Sequence, residues 1–315
     1  MSKKQEYTKG SVISKDGTII GYRQMGNGPS IILLHGGGKS SQTLMQLSMA
    51  LSDEFTVYIP DRRGRGLSGP FGDNYSLQRE VEDMDALLKK TGSQYVFGTA
   101  TGGIIALQSA LELRAIRKAV LYEPPFYVNE TEMNNFNDIS TRYDQYVADG
   151  KLSSAMVTSS EIATKVSGDE LKPPYQWVKY LPNILMKLIF MTVLEIDEKN
   201  VKDGDLTLKE LIPTFHNDVI LVNETKGTIE NFKDISADVL LLNGSKTFLF
   251  LKHSINALNE VLPHVKHVEI QGIDHAAAED TTGKPEIVAH EIKKFLQIKW
   301  KTLGGINEVA SWLFK

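Results

Sequence analysis

Tyr95-Val96-Phe97-Gly98-Thr99-Ala100-Thr101-Gly102-Gly103-Ile104-Ile105-Ala106-Leu107 runs from a short apolar strand, through one tight turn, into an apolar-faced helix. Gly98 and Gly102 lie two positions either side of Ala100. That is the spacing of a nucleophile elbow, Gly-x-Ser-x-Gly, where the central residue is strained and bulky flanking side chains would collide. Gly103 would let the helix pack closely on the sheet. The position that the motif gives to serine holds alanine. Plain strand-to-helix junctions also carry glycines, so the remainder of the chain decides between the two readings.

Upstream, Ser11–Ser14, the Lys15-Asp16-Gly17 turn and Thr18–Tyr22 read as an antiparallel hairpin that Asn27-Gly28-Pro29 ends. Ile31–Leu34 is continuously apolar, as expected for a strand covered on both faces, and runs into His35-Gly36-Gly37-Gly38. Phe55–Ile59 is the next strand, followed by Asp61-Arg62-Arg63-Gly64-Arg65-Gly66-Leu67-Ser68-Gly69. Leu77, Val81, Met84, Leu87 and Leu88 mark an amphipathic helix. Downstream, Lys118–Tyr122 ends in Glu123-Pro124-Pro125, and the alternation then stops. It resumes with Val239–Leu242, a helix through Ala257 and Leu258, the strand His267–Ile270, Gly272-Ile273-Asp274-His275 and a last helix from Pro285 to Phe295. Alternating strands and helices imply a mainly parallel sheet with helices on both faces. Residues 1–125 and 236–315 are expected to form one discontinuous core, with 126–235 as an inserted helical cap.

The 315 residues can bury a full core, and the net charge of -4 with a pI near 6.0 gives no reason to expect a nucleic-acid partner. The absence of cysteine excludes a disulfide framework, a zinc-thiolate site and a cysteine nucleophile. Met1-Ser2-Lys3-Lys4 is polar and lacks the apolar core of a signal peptide. The longest apolar run, Leu181–Ile196, is short for a membrane span and includes Lys187 and Glu195. A cytoplasmic protein that makes no membrane contact is the expectation.

Two stretches imitate nucleotide sites. Gly64-Arg65-Gly66-Leu67-Ser68-Gly69 fits G-x-G-x-x-G, but Pro70, Phe71, Gly72 and Asp73 follow instead of the helix start that would face a pyrophosphate. A structural loop is expected there. Gly38-Lys39-Ser40 resembles the end of a P-loop, but that motif needs a glycine where Leu33 lies inside a strand.

The order of these parts resembles the α/β-hydrolase superfamily, and within it the cofactor-free esterase, lactonase and C–C hydrolase branch. Four pieces carry the resemblance: the His35-Gly36-Gly37 turn, the Asp61-x-Arg63-Gly64-x-Gly66-x-Ser68 loop, the elbow at 98–102 and Gly272-x-x-His275. It covers roughly residues 10–297 and implies an α/β-hydrolase fold, with an eight-stranded, mainly parallel sheet. It also implies a triad built on the position of Ala100, with His275 as base and no cofactor or metal. The oxyanion donors would be the backbone N–H groups of Gly37 and Thr101. The common family position for the acid, near Gly244-Ser245-Lys246-Thr247, holds no carboxylate. Glu123 occupies the alternative position and is the favoured acid, with Asp274 and Glu279 as other candidates.

Alanine cannot attack a carbonyl. Three readings follow: a serine hydrolase in a Ser-to-Ala substituted form, a natural relative that binds a small molecule without turnover, or cofactor-free chemistry with His275 as general base. The first is favoured, because the other parts of the machinery are present together. Within the cap, Leu181–Met191 is apolar nearly all round, which suits a helix buried in the cap's own core. Its alternative is a pocket wall in which Met186, Phe190 and Met191, with Trp177, meet an apolar ester or lactone, beside His35 and Gly36 at the turn. The tail from Trp300 to Lys315 is an amphipathic helix candidate that suits core packing better than homodimer formation.

Overall fold

In the computed structural model, which describes residues 7–166, 181–202, 204–280 and 282–297, eight strands form one sheet in the order β1-β2-β4-β3-β5-β6-β7-β8. The strands are β1 (Thr8–Ile13), β2 (Ile19–Met25), β3 (Ser30–Leu34), β4 (Thr56–Pro60), β5 (Tyr95–Thr99), β6 (Lys118–Tyr122), β7 (Asp238–Gly244) and β8 (Val265–Ile270). The β1–β2 hairpin and the β2–β4 pair are antiparallel, and every pair from β4–β3 to β7–β8 is parallel.

The core helices are α1 (Met45–Leu51), α2 (Leu77–Thr91) and α3 (Thr101–Glu112). Between β6 and β7 come α4 (Glu130–Ala148), α5 (Leu152–Glu161), α6 (Asn183–Asn200), α7 (Leu208–Leu211) and α8 (Phe215–Glu224). Helices α9 (Leu249–Val261) and α10 (Pro285–Gln297) complete the core.

Apolar runs become two-faced burial because successive strand side chains point to opposite sides. Ile32, Leu34, Val96, Leu121, Val239 and Leu241 join a core that includes Met84 of α2 and Ile104 of α3. Ile31, Leu33, Phe97, Val120, Leu240 and Leu242 join a second core with Leu47 of α1 and Ile292 of α10. Ser76 caps α2 by accepting from the Arg79 N–H, and Gly92 ends it in the left-handed conformation at φ 63°. The chain leaves β3 toward β4 on one side and returns to β5 on the other. The crevice at the carboxyl ends of β3 and β5 is therefore the topological switch point, and Ala100 lies there.

The Gly64–Gly69 stretch is a structural loop. Asp61 accepts from the N–H groups of Ser41 (2.7 Å) and Leu67 (2.9 Å), and the next helix begins only at Leu77. A Cβ at Gly66 would fall 2.3 Å from the Asp61 carboxylate, so a side chain could not be accommodated.

One burial expectation is corrected. In α6 only Met186 and Leu194 are buried, while Ile184 is 70% exposed, Leu188 54% and Met191 49%. Apolar character at every angle of a helix does not say which angles its neighbours cover. Trp177 and the tail 300–315 lie outside the described residues. Among the described residues, no helix is long and apolar enough to cross a membrane.

Candidate active site

Ala100 follows β5 with φ 49° and ψ -124°, a conformation that L-residues rarely adopt. Its N–H donates to the Tyr122 carbonyl (3.0 Å), which ties the turn to the next strand. A Cβ on Gly98 would lie 2.2 Å from the Gly102 carbonyl oxygen, and one on Gly102 would lie 2.5 Å from that of Leu34. Either collision would push the turn apart, so the two glycines permit the strained residue between them. Gly36 abuts the site: a Cβ there would be 3.2 Å from the Ala100 methyl.

His275 reaches the site from the loop after β8. Its Nδ1 lies 2.6 Å from Glu123 Oε2, at the end of β6. An ionised carboxylate only accepts, so Nδ1 carries the proton and Nε2 of the neutral ring is left as the basic atom. Burial opposes the charged ring, but the hydrogen bond and charge of Glu123 outweigh it and hold the His275 pKa above the ordinary 6.5. About a third of the His275 side chain is exposed, whereas Glu123 is wholly enclosed. Glu123 accepts from the Gly244 N–H (2.8 Å) and the Thr247 hydroxyl (2.6 Å). The last residue of β7 and the loop after it, which lacks a carboxylate of its own, thus supply two donors to the carboxylate at the end of β6. The Tyr122 hydroxyl donates to the Asp274 carbonyl (2.5 Å) and steadies the histidine loop.

Of the other acid candidates, Glu279 pairs with Lys39 (3.0 Å), and Asp274 accepts from the Ala276 N–H (3.1 Å). His253 pairs with Glu132 and His216 with Asp144. Among the described residues, no three histidine or acidic side chains converge in a way that could hold a metal ion.

His35, expected beside a ligand, is instead enclosed with its ring spent on backbone. Nε2 accepts from the Arg62 N–H (3.1 Å), and Nδ1 faces the Gly36 carbonyl (2.9 Å). Burial first, then the charges of Arg65 and Arg62, depress its pKa far below the usual range, so the ring is neutral. Met186 is buried, Phe190 half-buried and Met191 exposed.

Several neighbours of the site carry no signature in the local sequence. The Phe248 ring lies 6.1 Å from that of His275. Asp218 of α8 reaches the turn after β3: its carboxylate accepts from the Gly38 N–H (2.8 Å), Arg62 (2.8 Å), Arg65 (2.6 Å) and the Thr101 hydroxyl (3.1 Å). Arg62 also donates to Glu80 (3.0 Å) and the Tyr75 hydroxyl (2.9 Å). The one sequence signal for this network is three closely spaced arginines after β4 in an otherwise acidic chain, since buried guanidinium groups require acceptors.

A strained turn after β5, a histidine–carboxylate pair after the last strand and β6, and a glycine turn after β3 define a hydrolase-type arrangement on an α/β sheet. A family model described as the alpha/beta hydrolase fold matches residues 29–282, and the chain belongs to that family. It is 34% identical over 95 residues to the uncharacterized hydrolase YraK of Bacillus subtilis, and 35% identical over 101 residues to the uncharacterized protein Mb2734 of Mycobacterium bovis. Those stretches span 29% and 30% of this chain, and only 35% and 30% of the two relatives.

Among solved structures, an alpha/beta hydrolase from Sphaerobacter thermophilus superposes with TM-score 0.71 at 23% identity, over 91% of this chain and all of the other. The esterase RhEst1 from Rhodococcus gives 0.63 at 17% identity, over 92% of this chain and 98% of its own. An epoxide hydrolase from Vigna radiata gives 0.65 at 16%, over 94% and 99%. At these identities the likeness is one of fold.

Proposed function

We propose that this chain carries the machinery of a serine-type esterase or lactonase, lacking only the nucleophilic hydroxyl at position 100, and that as written it binds an apolar ester or lactone without covalent turnover. The observation that carries this reading is the joint presence of a strained elbow and an assembled His275–Glu123 pair. A backbone strain of about 1–3 kcal/mol has a use when the central side chain must be aimed at a ligand. The nearby donors fit the same chemistry: Thr101 is the first residue of α3, so its N–H has no acceptor within the helix.

In the Ala100→Ser protein the introduced hydroxyl would attack the ester carbonyl carbon while His275 Nε2 takes its proton. The oxyanion would be held by the N–H groups of Gly37 and Thr101. Collapse breaks the bond to the alcohol oxygen, which takes the proton from His275, and water repeats the sequence on the acyl enzyme. Glu123 orients the imidazole throughout.

The test is labelling by a fluorophosphonate probe. The Ala100→Ser protein is expected to label, and the parent Ala100 protein and Ala100→Ser/His275→Ala are not. Equal lack of labelling in all three, with retained binding of an apolar ligand, would replace the enzyme reading by a receptor or carrier. A second reading draws on the His275–Glu123 pair being assembled with alanine at position 100: the neutral ring would then act on water directly. Ester hydrolysis by the parent Ala100 protein, lost in His275→Ala, would select it.

A further inference from the structure

We propose that Asp218 is a positioning residue for the oxyanion donors, through which helix α8 sets the Gly37–Gly38 turn and the first residue of α3. The inference rests on the hydrolase reading above. The Asp218 side chain is fully enclosed and its two oxygens divide their partners. Oδ2 accepts from the Gly38 N–H and Arg65, and Oδ1 from Arg62 and the Thr101 hydroxyl. Two of these four donors flank the two peptide groups assigned to the oxyanion.

The first contact acts through the planar peptide. Gly37 and Gly38 share a rigid amide, so holding the Gly38 N–H on the carboxylate fixes the plane of the Gly37 carbonyl and restricts rotation at Gly37. Gly37 lies hard against the acid: a Cβ there would be 3.2 Å from Asp218 Cβ and Cγ, tighter than ordinary packing, so a side chain would displace the carboxylate by a few tenths of an ångström. Gly38 itself sits at φ +61°, a left-handed conformation that glycine adopts without strain. The second contact acts through Thr101, whose hydroxyl is held between Asp218 and Arg62 (3.2 Å) and whose N–H opens α3.

A purely structural ion pair would not need these contacts. Balancing the charge of Asp218 requires only Arg62 and Arg65, and Arg62 has Glu80 as a further partner. The Gly38 amide and the Thr101 hydroxyl are neutral, yet both are aimed at the same carboxylate. Burial works against that carboxylate's charge, and the two arginines prevail, keeping it ionised as an acceptor for all four donors. Asp218 lies 180 residues from Gly38 in the chain. A displacement of α8 would therefore release the turn after β3 and the start of α3 together.

The experiment uses the full chain carrying Ala100→Ser as reference, beside Ala100→Ser/Asp218→Asn and Ala100→Ser/Thr101→Val. kcat and KM are measured on p-nitrophenyl butyrate, with inhibition by an aryl trifluoromethyl ketone, which forms a tetrahedral oxyanion on the introduced hydroxyl. Removing one oxyanion donor outright costs about 10²–10³ in kcat, so loosening two is expected to lower kcat about 10- to 100-fold in the Asp218→Asn form. KM should stay within about two-fold, and ketone inhibition should weaken by a factor matching kcat, the pattern of an interaction made only in the transition state. Thr101→Val, which leaves both arginine contacts to Asp218 in place, is expected to lose several-fold in the same two quantities. An Asp218→Asn protein with unchanged kcat and ketone affinity overturns the proposal. Should that variant fail to fold, unchanged values for Thr101→Val overturn it instead. No turnover by the Ala100→Ser reference itself would mark failure of the hydrolase reading, separately from either outcome.

Discussion

Helices α6 and α8 belong to the same stretch between β6 and β7, and both are rich in apolar residues, yet they meet opposite surroundings. Helix α8 packs on α3 and buries Val219, Leu221 and Val222 together with one carboxylate, Asp218. Helix α6 buries Met186 and Leu194 and leaves Ile184, Leu188, Met191 and Ile196 in the open. The contrast shows that apolar content alone does not decide which helix of this stretch is fixed to the sheet. A buried acid with four donors specifies one position for α8, whereas the exposed apolar face of α6 specifies none.

Removing the acid is the most severe way to break the contrast. Asp218→Ala leaves Arg62 and Arg65 buried beside a missing carboxylate, and losing one partner of a buried pair costs about 3–5 kcal/mol. The drop should be read in the midpoint of urea unfolding followed by far-ultraviolet circular dichroism. A smaller loss is expected where the same stretch is held by neutral bonds. Gln42 of the core donates to the Leu206 carbonyl (2.8 Å) and accepts from the Leu206 N–H (2.7 Å). Gln42→Ala should cost about 1–2 kcal/mol in the same unfolding assay, since each such bond contributes on the order of 1 kcal/mol net. At the far end, Ile184→Ser and Leu188→Ser on α6 are expected to stay within about 0.5 kcal/mol of the parent, as surface substitutions do. A loss of several kcal/mol on α6 would mean that its apolar face is covered in solution, and the contrast would then collapse.

The sequence made the sheet legible because its parallel strands are apolar runs, and burial on both faces demands that composition. The elbow is legible because Gly98 is forced by a collision with backbone only four residues on, at Gly102, and Gly102, which meets the Leu34 carbonyl of β3, completes the same short spacing. The pairing of His275 with Glu123 was accessible by position: a carboxylate at the end of β6 stood in for the one missing after β7. What could not be read was long-range. Asp218 is one acid on a short helix, and nothing local to Phe215-His216-Asn217-Asp218 says that two loop arginines, Arg62 and Arg65, and a glycine turn meet it. His35 looked like a ligand contact because it opens the turn after β3, but its ring is consumed by the Arg62 backbone. The exposure of α6 depends on which neighbours arrive, which helical periodicity does not encode.

The His275 pKa, held above 6.5 by Glu123, has two consequences of opposite sense. The stability contributed by the protonated ring against Glu123 is present below the unfolded-state value and is lost as pH rises through the folded-state value. The base function appears over that same rise, because only the neutral ring can take a proton. Glu123→Gln should therefore lower the midpoint of any base-dependent activity.

The most direct measurement is the rate of p-nitrophenyl ester hydrolysis by the Ala100→Ser protein from about pH 5 to 9, beside the parent Ala100 protein and Ala100→Ser/His275→Ala. The expected result is turnover in the Ala100→Ser protein alone, rising with pH through a midpoint above 6.5. No gain over the parent Ala100 protein, or a gain that survives the loss of His275, would contradict the view that one missing hydroxyl separates this site from a working hydrolase.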